Sequence, residues 1–80
     1  MQKSLLSRNY RLFLDQLSAA RKRARFTQQQ LAEHLGVTQS FVSKCERGER
    51  RLDIVELREW CRALNISLSA FVAKFDRMAD

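Results

Sequence analysis

FTQQQLAEHLGVTQSFVSKCERGERR, residues Phe26 to Arg51, places helix-capping residues and two glycines at intervals that define two short helices. Thr27 followed by Gln30 has the spacing of a capping box, in which the hydroxyl and the amide satisfy backbone N–H groups that a first helical turn leaves unpaired. Leu31, Ala32 and Leu35 then supply an apolar face, which predicts a helix over about 28–35. Gly36 stands where a left-handed residue ends such a helix, because glycine takes positive φ without a Cβ clash. Thr38 can cap a further helix over about 39–46, and Gly48 lies just past its end with the same logic. Two short capped helices joined by a tight Gly36-Val37 turn have helix-turn-helix spacing, at about 28–46.

Upstream, Tyr10, Phe13, Leu14, Leu17, Ala20 and Ala24 recur at steps of three and four, which predicts a preceding helix over roughly 8–23. Downstream, Asp53 and Glu56 repeat the capping spacing ahead of Ile54, Leu57, Cys61 and Leu64. Ser67 precedes Leu68, Phe71, Val72 and Phe75 at helical intervals. Nothing alternates with period two over the length of a strand, so the class is all-α, with five helices around one small core. The 80 residues fit a single domain, 1–80, and the absence of proline and of any Ser/Pro/Gly-rich stretch gives no sign of a linker.

Fifteen Lys and Arg against nine Asp and Glu give a net charge of +6, a large excess for a chain this short, which points to a polyanionic partner. A charged surface also serves solubility alone, so the placement of the charges decides between the two. On a wheel at about 100° per residue, Phe41, Val42 and Cys45 share one side of the third helix. Gln39, Ser40, Ser43, Lys44 and Arg47 gather on the other, where every group can donate a hydrogen bond and none is a carboxylate. From His34 through Cys45 there is no acidic residue. Arg47, Arg50 and Arg51 follow that span, and Arg21, Lys22, Arg23 and Arg25 end the first helix, so phosphates could be met on both flanks. Thr27 and Gln28, and likewise Gln39 and Ser40, sit at helix starts, where free backbone N–H groups and the helix dipole favour anions.

Phe26-Thr27-Gln28, Leu31-Ala32-Glu33, Leu35-Gly36-Val37, Gln39-Ser40, Val42-Ser43-Lys44, Glu46-Arg47-Gly48-Glu49-Arg50 and Val55-Glu56-Leu57 together resemble the Cro/cI (XRE) helix-turn-helix family of bacterial and phage regulators. The likeness spans about residues 10–75 and is specific in both residue type and spacing. It implies a compact, lambda-repressor-like five-helix fold whose third helix enters the major groove of double-stranded DNA, often as a homodimer on a palindromic operator, and a role as a transcriptional repressor. By the same resemblance Gln28, with Thr27 beside it, would contact phosphate, Gln39, Ser40 and Lys44 base edges, and Arg47 with Arg50 or Arg51 the flanking backbone. Arg21 would pair with Glu46, a pair worth about 0 to 1 kcal/mol if exposed. Arg25 departs from the family, which often has glycine before the hydrophobic-Thr-Gln start.

Other functions find less support in the residues. Cys45 and Cys61 fall at apolar helix positions and no secretory leader opens the chain, which predicts a reduced, cytoplasmic compartment with both cysteines packed as small core residues. Two distant cysteines and the lone His34 fall short of a metal site. No Ser, Cys or Asp constellation surrounds His34, so no enzyme is expected. No cofactor, small-molecule ligand or membrane span is expected either, since no apolar run approaches the roughly 20 residues a bilayer requires. Trp60 reads as core, and the Phe71, Phe75 and Met78 stripe as mostly core with a remnant able to form a dimer contact. The competing reading is an antitoxin or partner-binding module on the same fold, which would usually carry an extra toxin-binding segment where this sequence has only a few residues flanking its helices.

Overall fold

In a computed structural model that describes residues 3–80, with side chains from residue 7 onward, the chain forms five helices. They are α1 Lys3–Arg23, α2 Gln28–Leu35, α3 Gln39–Arg47, α4 Ile54–Ala63 and α5 Leu68–Met78. No strand occurs among the described residues. Helix α1 begins five residues before the expected 8, and α3 runs one residue past 46. With no proline or glycine to stop it, a helix nucleated by the apolar face of α1 extends backward at little cost.

Every predicted cap is made. Thr27 Oγ1 accepts from Gln30 N at 3.0 Å while Gln30 Oε1 accepts from Thr27 N at 2.9 Å. Asp53 and Glu56 form the same reciprocal pair at 2.8 and 2.9 Å. Thr38 and Ser67 cap α3 and α5 through the backbone N–H groups of Phe41 and Ala70. Each cap satisfies donors that the first turn leaves orphaned, a contribution of about 1 kcal/mol apiece.

The first four helices also end alike. Gly36 N donates to Glu33 O and Val37 N to Ala32 O, the paired bonds of a Schellman motif. The same pattern recurs after α1 at Arg25 and Phe26, after α3 at Gly48 and Glu49, and after α4 at Asn65 and Ile66. The turning residues have φ of 65° at Arg25, 71° at Gly36, 80° at Gly48 and 59° at Asn65. Asparagine tolerates this region comparatively well, whereas the Cβ of Arg25 is crowded there. The missing glycine therefore leaves α1 ending at Arg23 as expected, with the strain borne by Arg25.

These stops fold the helices onto a core of Leu14, Leu17, Leu31, Ala32, Val42, Cys45, Leu57, Trp60, Cys61, Leu64 and Phe71. Helix α2 packs across α3 and α4, and α1 spans α3 and α5. Val42 and Cys45 are fully buried, as the helical wheel requires, and Phe41 lies half-buried beside them. Along α5 Phe71 is buried and Phe75 half-buried, while Val72 and Met78 are exposed. Phe13 holds Phe71 and Phe75 in edge-to-face contacts, with ring centroids 6.2 and 6.1 Å away. This packing anchors the inner side of α3 and leaves its outer side to solvent.

Candidate nucleic-acid interface

Because Thr38 caps α3 and Val42 and Cys45 turn inward, the first turn of α3 presents Gln39 and Ser40 to solvent, and Lys44 projects one turn further on. Ser43 is half-buried. Gln28, at the start of α2, stands next to this surface and accepts a 3.2 Å hydrogen bond from Gln39 Nε2 through its Oε1. Its own Nε2 donates to Glu46 Oε1 at 3.1 Å. Thr27 is exposed, with its hydroxyl engaged in the α2 cap.

Glu46 anchors that chain of bonds. Arg21 Nε and Nη2 donate to its two carboxylate oxygens at 2.7 and 3.1 Å, and Arg21 Nη1 donates to Phe26 O at 2.8 Å. The two side chains are 10% and 6% exposed, so the pair is sequestered, with an energetic weight unlike that of an exposed bridge. The carboxylate of α3 is thus turned inward and neutralised. A continuous path of hydrogen bonds runs from the end of α1 through Glu46 and Gln28 to Gln39, which fixes the amides against the helices that carry them.

The three downstream arginines occupy three different environments. Arg47 makes a two-pronged contact with Glu49, Nε to Oε2 at 2.9 Å and Nη2 to Oε1 at 3.2 Å, and its Nη1 donates to Ser43 Oγ. Arg50 is folded back against the α3–α4 loop: it donates to Glu56 Oε1 at 2.6 Å and to Arg51 O at 2.5 Å, and its guanidinium lies 4.7 Å over the Phe41 ring. Arg51 sits 4.4 Å over the Tyr10 ring, at the edge of a cleft of about 400 Å³ that Phe13, Phe71 and Phe75 also line. Arg47 alone of the three belongs to α3 itself. Arg23, Lys22 and Arg25 are exposed at the end of α1.

Electrostatic perturbation is concentrated in this same region. Hydrogen bonding and attraction from Arg47 hold the Glu49 carboxyl below its usual value, and Arg50 together with the Asp53 backbone N–H does the same for Glu56. Burial pushes the Cys45 thiol up to about 11 and raises Cys61 as well. Both thiols are free and buried. His34 is exposed on α2, its ring 4.9 Å from that of Phe26. Among the described residues no group of three His, Cys, Asp or Glu side chains gathers as metal ligands would. No helix there is long and apolar enough to cross a membrane.

Several of these relationships left no mark in the sequence pattern. The Gln28–Gln39 contact joins residues 11 apart on different helices, and Glu49 gives no periodicity signal. The Arg50–Phe41 stacking depends on how the loop after Gly48 folds back over α3.

Two short capped helices packed on one another across a tight turn, the second with an inner apolar side and an outer polar side free of carboxylates, define a DNA-binding helix-turn-helix domain. The helix-turn-helix family profile matches residues 17–71 of this chain. Among solved structures, an XRE-family like protein from Pseudomonas syringae pv. tomato str. DC3000 superposes with a TM-score of 0.89 and 41% sequence identity, over 98% of this chain and 95% of that one. The chain belongs to the XRE family of helix-turn-helix proteins. A comparison with curated proteins gave no match.

Proposed function

We propose that the chain is a sequence-specific transcriptional regulator, acting as a repressor, which lays α3 in the major groove of operator DNA. The observation that supports this most directly is the Gln28–Gln39 contact: two amides prepositioned at adjoining helix N-termini, Gln28 half-buried and tied to Glu46, Gln39 exposed, with no free carboxylate between them. In this reading Gln39, Ser40, Ser43 and Lys44 meet base edges, since an amide can bond adenine N6 and N7 together and an ammonium can donate to guanine O6 and N7. Thr27, Gln28, Arg47, Arg50 and Arg51 serve the sugar–phosphate backbone, which fixes register without reading sequence. Arg21 and Glu46 position α3 and touch no DNA.

The domain acts in the cytoplasm, without catalysis, and as a homodimer through Met78, the exposed remnant of the Phe71, Phe75 and Met78 stripe on α5. Selection of bound sites from random duplex DNA tests the reading as a whole. The expected result is a defined motif with two-fold symmetric half-sites. Recovery of no motif, or of binding that does not weaken as salt rises, overturns it.

A further inference from the structure

Gly48 takes φ of 80° and turns the chain back on itself just past α3, and the Glu49 N–H donates to Lys44 O at 2.9 Å to lock that turn. The turn brings the Glu49 carboxylate round to the Arg47 guanidinium, although Glu49 lies outside the helix. Both oxygens are engaged, by Nε and Nη2, in the parallel two-bond geometry that a guanidinium also offers a phosphate. Both side chains remain more than half exposed, at 54% and 56%, so neither is needed inside the core. Ser43 holds the third guanidinium nitrogen from the neighbouring turn of α3.

We infer that Glu49 is a built-in phosphate surrogate, which occupies Arg47 in the free protein and must be displaced when Arg47 engages the DNA backbone. The inference rests on the proposed DNA-binding function and deepens it. Three consequences follow from the geometry. Glu49 weakens binding to all duplexes, because the exchange of carboxylate for phosphate gives up a pair already formed. It does so without favouring one base pair over another, because phosphate contacts carry no sequence information directly. It also holds the fork at the end of α3, so that the guanidinium is oriented before DNA arrives instead of sampling many rotamers.

The test is a double-mutant cycle on binding to a labelled duplex of the selected site, with Glu49→Gln, Arg47→Ala and the pair together. Thermal melting confirms that each variant is folded. Removing any negative charge near DNA tightens binding somewhat, so the diagnostic quantity is the difference between backgrounds. With Arg47 present, Glu49→Gln is expected to tighten binding roughly two- to fivefold more than it does in the Arg47→Ala background, the range that an exposed ion pair supports. Equal gains in both backgrounds, or no gain in either, overturn the inference while leaving DNA binding intact. Failure of the wild-type protein to bind any duplex overturns the proposed function, and this inference with it.

Discussion

Arg21 on α1 and Glu46 on α3 are joined by two N–H···O bonds of 2.7 and 3.1 Å, and they are screened from solvent by the helices they connect. Every polar prong has a partner, since Arg21 also meets Phe26 O and Glu46 also accepts from Gln28. Breaking such a pair leaves a sequestered charge without compensation, which costs about 3 to 5 kcal/mol. Arg21→Ala and Glu46→Ala are each expected to lower the unfolding free energy read from urea denaturation by that much, with the double variant losing far less than the sum. Singles that cost under about 1 kcal/mol would place the pair with ordinary surface bridges.

The two glycines separate a conformational cost from a packing cost. A Cβ added at Gly36 meets nothing within 4 Å, whereas one at Gly48 lies 2.9 Å from Leu14 Cδ1. Gly36→Ala is therefore expected to cost about 1 to 2 kcal/mol from left-handed backbone alone, and Gly48→Ala more, because buried Leu14 has to shift. Arg25, at φ of 65°, should respond in the opposite sense: Arg25→Gly is expected to stabilise the fold by about 0.5 to 1 kcal/mol. Chemical denaturation of the three variants reads all these differences, and a destabilised Arg25→Gly protein would contradict the account of the turn.

Acid sensitivity should trace in part to Glu56. Its carboxyl has a folded-state pKa below the usual 4.5, so its contribution is complete above 4.5 and is lost as pH falls through that value toward the lower folded one. Glu56→Gln keeps the reciprocal cap, as Gln30 does in α2, but removes the ionic bond to Arg50. The variant is expected to melt slightly earlier than wild type at pH 7 and to lose less stability between pH 5 and pH 3, as followed by thermal melts across that range. Parallel acid limbs would show that Glu56 does not contribute.

The two classes of interface residue should fail differently. Gln39→Ala and Lys44→Ala are each expected to cost about 1 to 3 kcal/mol on the selected operator and to relax the choice at one base pair, with little change on random DNA. Arg47→Ala should weaken all sequences alike and lower the slope of log K against log salt by about one. Site selection repeated with each variant is the measurement. An unaltered motif and affinity for both Gln39→Ala and Lys44→Ala would remove α3 as the reading element.

Cys45 and Cys61 should behave as inert core residues. Burial raises both thiols, Cys45 to about 11, so little thiolate is present at pH 8. A chromogenic disulfide reagent is expected to titrate both only as fast as the fold opens, and immediately in denaturant. Fast labelling of the native protein would point instead to an accessible, redox-responsive thiol.

The helices were legible in the sequence because what starts and stops them is local. Thr27 with Gln30, Asp53 with Glu56, Thr38 and Ser67 act through hydrogen bonds that reach only three residues, and Gly36 and Gly48 act through their own φ. The inner face of α3 was legible for the same reason, since helical periodicity alone puts Val42 and Cys45 together. The left-handed stop at Arg25 was marked only by the glycine that the resembled family often has at that position, and not by local spacing. The backward extension of α1 to Lys3 was not legible, because propagation of an established helix needs no start signal at a particular residue.

Which polar groups meet follows from the packing of the helices. The seclusion of Arg21 with Glu46, the Gln28–Gln39 contact, and the separate environments of Arg47, Arg50 and Arg51 all depend on how helices cross and how the loop after Gly48 turns back. A hydrogen bond forms or fails over less than an ångström, and sequence spacing does not fix distances between separate helices to that tolerance. Composition supplied six positive charges in excess, and packing determined which guanidiniums stand open and which are already paired.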